Sequence, residues 1–238
     1  MSTNATALDK RLKRFATKVA ERIDDTVAAL QSAAHEAQTS DGAGATKLSH
    51  FVDATCRLLE QRSDDDVLAG AGYAVDAAAQ SCAPAMIWWV RRGGSLVERS
   101  HSVDPEADSF YDYAAMRWFK AAKTDCGPTL SGPFIDTWGS DDYTVTVSVP
   151  VAVDGQSWGV FAADVDVRRF IDALAADLRA MRAPVALVNE ADRVVVSTVP
   201  SLSTGLPIRP RGMRDDHAVE RRRHPVSTYG WSVVVLDD

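Results

Sequence analysis

The sequence predicts an α+β fold: an antiparallel sheet with a long N-terminal helix, joined to a small second α/β lobe. Three observations carry this reading. Leu8, Leu12, Phe15, Val19, Ile23, Val27 and Leu30 recur at helical spacing with charged residues between them. Tyr143 to Val149 alternates β-branched and polar residues, turns at Asp154-Gly155 and returns through Trp158 to Val165. Phe170, Leu174, Leu178 and Met181 then restore a helical period ahead of short β-branched runs. The organisation that follows is a helix and linker over 1–45, a main lobe over 46–168, and a connecting helix with the small lobe over 169–238.

The N-terminal helix drifts away from a strict heptad, so a left-handed coiled-coil seam is not indicated. Two roles compete evenly for it: packing on its own sheet, or pairing with a second copy into a homodimer. Thr39 to Thr46 is a small, polar, Gly-containing break. A second helix is expected from about Leu48 to Gln61. Ser63, Asp64 and Asp65 offer N-cap chemistry for a third, ending near Ser81. Ala85 to Val90 reads as a strand, turned by Arg92-Gly93-Gly94 into Ser95 to Ser100. Trp88 and Trp89 are adjacent on that strand, so only one of them faces a given pocket. A helix is expected from Tyr111 to Ala122, then an aromatic-rich strand around Gly132 to Asp136. In the second lobe a hairpin turns at Glu190 to Asp192, Pro200 to Pro225 looks irregular, and Trp231 to Leu236 closes with a strand.

Composition excludes several function classes. Of 238 residues, 46% are hydrophobic and 25% charged, the proportions of an ordinary globular chain. A net charge of −7 disfavours nucleic acid, whose phosphates need a basic face. The basic runs at Lys10 to Arg14 and Arg221 to Arg223 read as solvated surface. The three cysteines, Cys56, Cys82 and Cys126, form no metal or disulfide pattern. No apolar run has the length of a membrane span, and the N-terminus lacks a signal-peptide core. These readings make the chain soluble and cytoplasmic. No GxSxG, HExxH, Walker or GxGxxG sequence occurs, so no catalytic residue, cofactor or metal ligand is nominated.

The order of parts from Phe110 to Asp166 (FYDYAAMRWFKAAK, GPFID, the hairpin, then Asp164 and Asp166) resembles the ligand-binding core of Cache domains. These are the PAS-like sensor modules of bacterial chemoreceptors and sensor kinases. The resemblance covers roughly residues 60 to 170, and the remainder is similar to a reduced second lobe of a double Cache module. Most Cache modules sit outside the membrane, from which the cytoplasmic reading departs. In amino-acid-binding members the resemblance implies a tyrosine, an arginine, a tryptophan, a second aromatic and a final aspartate. Anchored on Trp118-Phe119, this chain has Tyr111, Trp118, Phe134 and Asp164 at four of those positions. Met116 stands where arginine is expected. Arg117 lies one position along, about 100° away on a helix. The half that holds an ammonium is kept, and the half that holds a carboxylate is not.

Read as chemistry, Tyr111, Trp118 and Phe134 present aromatic faces that attract a cation, and Asp164 supplies the opposite charge. Asp136 and Trp138 are placed at the pocket mouth, with an Asx-turn role the alternative for Asp136. Asp142 with Asp141 reads as an exposed turn, and Asp166 as a cap for the next helix. The expected function is a small-molecule sensor module whose ligand is a cationic amine or quaternary ammonium, signalling through an unidentified partner. The rivals are a non-sensing interaction or dimerisation module with a self-filled pocket, and a hydrolase with a dispersed site.

Overall fold

The structure, a computed structural model, describes residues 2–39, 45–62, 67–137, 142–208, 220–226 and 228–236. Helices α1 (Ser2–Thr39) and α2 (Ala45–Gln61) lead into the main sheet. Strands β1 (Leu68–Val75), β2 (Met86–Arg92), β3 (Ser95–Glu98), β4 (Thr129–Ile135), β5 (Tyr143–Val153) and β6 (Gln156–Asp166) pair antiparallel in the order β3-β2-β1-β6-β5-β4. A short helix α3 (Ala77–Gln80) follows β1, and α4 (Arg117–Asp125) precedes β4.

Helix α1 packs its apolar stripe on its own sheet. Leu12, Phe15, Val19, Ile23, Val27 and Leu30 are all buried, in one core with Phe51, Leu58 and Leu59 of α2 and Val145, Val147, Val149 and Val151 of β5. Of the two roles open to this helix, the structure displays the packing one. Any pairing of two copies through α1 therefore has to use its polar side.

The expected third helix over 63–81 is not what forms. Residues 63–66, which include the candidate cap, lie outside the described residues, and Leu68–Val75 is a strand in the interior of the sheet. The run LAGAGYAV falls inside the helix expected from the cap chemistry of Ser63, Asp64 and Asp65. Its real constraint is tertiary: a Cβ on Gly72 would come within 2.1 Å of the Ile87 carbonyl and 2.5 Å of the Trp88 ring. Smallness here makes room for a neighbouring indole, and context overrides propensity.

The helix expected over Tyr111–Ala122 also starts later. Tyr113–Ala115 is a single 3-10 turn, Met116 is extended (φ −67, ψ 145), and α4 begins at Arg117. Asp112 caps the 3-10 turn, accepting from the Ala115 N–H at 3.0 Å. Asp166, the last residue of β6, caps α5 (Val167–Ala180), accepting from the Arg169 N–H at 3.1 Å, as the sequence led one to expect.

Beyond α5, strands β7 (Val185–Val188), β8 (Val194–Ser197), β9 (Glu220–Pro225) and β10 (Ser232–Leu236) form a second antiparallel sheet ordered β8-β7-β10-β9. The strand at Glu220–Pro225 corrects part of the irregular connection expected there; 209–219 lie outside the described residues. A run reading ERRRHP has poor strand propensity, but it occupies a sheet edge, where charge and proline are tolerated. The Gly-containing break is described only at its ends, since 40–44 lie outside the described residues.

Candidate functional site

Strand alternation sorts the main sheet into two faces. On β6, Phe161, Ala163 and Val165 join the core under α1 and α2, while Val160 and Ala162 pack with Trp118, Phe119 and Ala122 of α4. Asp164 shares the parity of Val160 and Ala162, so it points to the α4 side. Parity also settles the adjacent indoles of β2: Trp88 packs on the α4 side and Trp89 against the α1 side.

Around Asp164 the α4 side closes a small cavity of about 30 Å³, lined by Met86, Trp88, His101, Tyr111, Trp118, Phe134, Asp136, Thr146 and Asp164. The five residues singled out in the sequence, Tyr111, Trp118, Phe134, Asp136 and Asp164, thus meet at one place. Trp118 is 5% exposed and tilts against Trp88 at 6.1 Å between ring centroids. Its indole N–H donates to the Tyr111 hydroxyl at 3.3 Å, and His101 lies 4.9 Å from the Tyr111 ring. Phe134 reaches this face because the ladder slips between Ser131 and Phe134, across the cis Gly132–Pro133 peptide. Plain alternation from Leu130, which faces α1, would have put Phe134 on the wrong side.

The electrostatics of the cavity are dominated by carboxylates. The Thr146 hydroxyl donates to Asp164 Oδ1 at 2.7 Å. Removal from water nevertheless pushes the Asp164 carboxyl up to about 7, with Asp136 adding to the rise against the Thr146 bond. Burial likewise pushes Tyr111 up to about 12 and holds His101 below its ordinary value. At neutral pH the pocket therefore offers neutral imidazole and phenol, aromatic faces, and an aspartate poised near its midpoint.

A wider cleft of about 430 Å³ adjoins this cavity and shares Tyr111, Trp118, Phe134 and Asp136 with it; Arg117, Asn189 and Arg193 are among its other walls. Met116 and Arg117 both line this cleft. The sequence argument that a one-residue step would turn Arg117 away assumed both residues on a helix, and Met116 is not on one. Arg117 is engaged by Glu190 of the second lobe, and Asn189 there donates to the Gly132 carbonyl at 2.5 Å. Asp142 is exposed and accepts from the Asp136 N–H through its carbonyl at 3.1 Å; Trp138 and Asp141 lie outside the described residues.

Sequence reasoning left Trp88 undecided and missed Met86, His101 and Thr146. Thr146 was close to legible, since hairpin register pairs it with Asp164. A bulge at Val151/Ala152 shifts that register by one, so counting from the Asp154-Gly155 turn would have named Val145 instead. Nothing local marks His101, which lies in a loop. Among the described residues no group of His, Cys, Asp and Glu could hold a metal ion, and no helix is long and apolar enough to cross a membrane.

Residues 58–172 match the family described as "Methyl-accepting chemotaxis protein-like, first PDC sensor domain". No curated protein matches the sequence. Among solved structures, the extracellular domain of the putative histidine kinase mmHK1S-Z3 superposes with a TM-score of 0.70 at 12% identity, covering 98% of this chain and 93% of that one. The ligand-binding domain of Pseudomonas fluorescens chemoreceptor CtaA, in complex with L-valine, gives 0.63 at 16% identity, covering 100% and 99%. That of the Pseudomonas aeruginosa PAO1 amino acid chemoreceptor PctC, in complex with GABA, gives 0.59 at 18%, covering 98% and 99%. Residues 58–172 thus fit a PDC sensor family, and the long packed helix with two antiparallel sheets gives the chain the fold of these solved domains.

Proposed function

We propose that the chain is a sensor module that binds a small organic cation, an amine or quaternary ammonium, in the Asp164 cavity and leaves it chemically unchanged. The observation that carries this reading is the convergence of the Asp164 carboxyl with Trp88, Tyr111, Trp118 and Phe134. Aromatic faces with the carboxyl groups of Asp164 and Asp136 in a site shielded from water select positive charge. Two similar domains are described with L-valine and GABA, each of which carries an ammonium.

The cavity is too small to take such a ligand without movement: about 30 Å³ is room for roughly two waters. The neighbouring cleft, which shares four wall residues with the cavity, is the route of entry this reading assigns. Only the shared side chains of Tyr111, Trp118, Phe134 and Asp136 form the common wall, and Phe134, 37% exposed, is the most accessible of the three aromatics. The small volume also favours a second reading, an interaction module whose pocket is filled by its own side chains.

Calorimetric titration with phenethylamine, tetramethylammonium, L-valine and acetate separates the two. The sensor reading expects saturable binding of the two cations, weaker binding of the zwitterion and none of acetate, with loss in Asp164→Asn. Heat from none of the four supports the self-filled module; tightest binding by acetate overturns the charge argument.

A further inference from the structure

Helix α5 and strand β8 leave an open groove between them, of about 620 Å³, in the size range of small-molecule sites. Its floor is apolar: Ile171, Ala175 and Leu178 recur at helical spacing along α5, opposite Val196 of β8 and Val199 beyond it. The hydroxyls of the groove are already engaged. Ser197 Oγ donates to the Val185 carbonyl at 3.1 Å and accepts from the Val199 N–H at 2.9 Å. Thr198 Oγ1 donates to the Ala183 carbonyl at 3.0 Å and accepts from the Val185 N–H at 2.9 Å. Pro184 and Pro200, also in the wall, have no N–H to offer. What the floor presents to a guest is therefore apolar surface.

The charge along this groove is all of one sign. Arg179 and Arg182 line it, and no acidic residue does. Both side chains are exposed, and neither pairs with an acid among the described residues. Arg179, in the last turn of α5, answers the negative end of the helix. Arg182 has no such local role. It follows the Met181 cap with φ +50, at the position where a helix end favours glycine. Eight residues separate Ile171 from Arg179, so the guanidiniums start roughly 12 Å along the helix from the far end of the trough. That span is comparable to an extended chain of about eight carbons. Guanidinium forks prefer carboxylates, so an apolar trough with two open arginines at one end is complementary to an apolar tail ending in a carboxylate.

We propose that this groove is a second binding site, for a straight-chain carboxylate of medium length, its tail laid along α5 and its carboxylate held by Arg179 and Arg182. The groove shares no lining residue with the Asp164 cavity and does not depend on what that cavity binds. Its selectivity is opposite in sign, since it takes an anion where the other takes a cation, and it requires the tail as well as the charge.

The test is calorimetry on the full chain with three probes: octanoate below its micellar concentration, octanol with the same tail and no charge, and acetate with the charge and no tail. Octanoate should saturate a single site, octanol should bind about thirtyfold more weakly, and acetate should give no binding heat. Arg179→Gln combined with Arg182→Gln should bring octanoate down to the octanol level. Both side chains are exposed, so the double variant keeps its fold. Asp164→Asn should bind octanoate as the wild type does, which separates a failure here from a failure of the cation reading. The proposal is overturned if octanoate does not saturate, which would leave the groove to a protein segment. It is equally overturned if octanol binds as tightly as octanoate, if the double variant retains octanoate, or if Asp164→Asn loses it.

Discussion

Replacing Asp164 by asparagine should make the empty protein more stable while removing its affinity for cations. The carboxyl is raised from its ordinary 3.8 to about 7 because burial disfavours the charge. A raised acid binds its proton more tightly folded than unfolded. Its contribution to stability therefore falls as pH rises from 3.8 to about 7, and the cost is complete above that. Roughly three units at 1.36 kcal/mol each set an upper bound of about 4 kcal/mol. Water admitted to the cavity reduces this, and about half is a reasonable expectation. At roughly 2–4 °C per kcal/mol for a chain of this length, Asp164→Asn should melt about 4–8 °C above the wild type at pH 8. The two should melt together near pH 4. Asparagine keeps an oxygen to accept from Thr146, now bonded to Asp164 Oδ1 at 2.7 Å, so the strand pairing is preserved. The same change should weaken phenethylamine by about 2–3 kcal/mol, or roughly 30- to 150-fold in Kd. Melting followed by circular dichroism at both pH values, with calorimetry at pH 8, checks the pair of effects. A mutant that melts below the wild type at pH 8 while retaining amine affinity would refute the reasoning.

In the wild type, tetramethylammonium, whose own charge does not titrate, should bind about tenfold tighter at pH 8 than at pH 6, because the cation must displace the Asp164 proton; a flat profile would mean that Asp164 is not its partner. Gly72→Ala should displace the Trp88 ring, 2.5 Å from the added Cβ, and cost a few kcal/mol of stability along with cation binding, as read by urea unfolding and titration. Deletion of residues 1–38 should give an unfolded chain: Leu12, Phe15, Val19, Ile23, Val27 and Leu30 each contribute about 1.5–3 kcal/mol of burial, together comparable to a whole domain's stability. A folded, soluble truncation with native circular dichroism would show that the sheet does not need α1. Phenethylamine recovered after prolonged incubation should be unchanged by mass spectrometry, and turnover abolished by a substitution in the cavity would establish an enzyme.

The features legible in the sequence were those set by local periodicity. The stripe of α1 and the β5–β6 hairpin follow from spacings of 3.6 and 2 residues, and a strand centre is a costly enough place for aspartate that Asp164 marked itself. Three things were hidden because distant neighbours decide them. Leu68–Val75 looks helical until the Trp88 indole across the ladder explains its glycines. Thr146 faces the cavity through a register slip that no count along the chain reveals, and Phe134, named in the sequence by resemblance alone, needs a second slip to reach the same face. His101 belongs to a loop carried over the sheet, so nothing near it in sequence announces its neighbours.

Strands β5 and β6 serve the core and the cavity with successive residues: Val145 and Val147 flank Thr146, and Val165 follows Asp164. The sheet is thus a partition one backbone thick, oily behind and polar in front. A change of bulk at Val145 or Val165 presses on the same backbone that carries Thr146 and Asp164, so the shape of the cavity is set from behind the sheet as well as from within it.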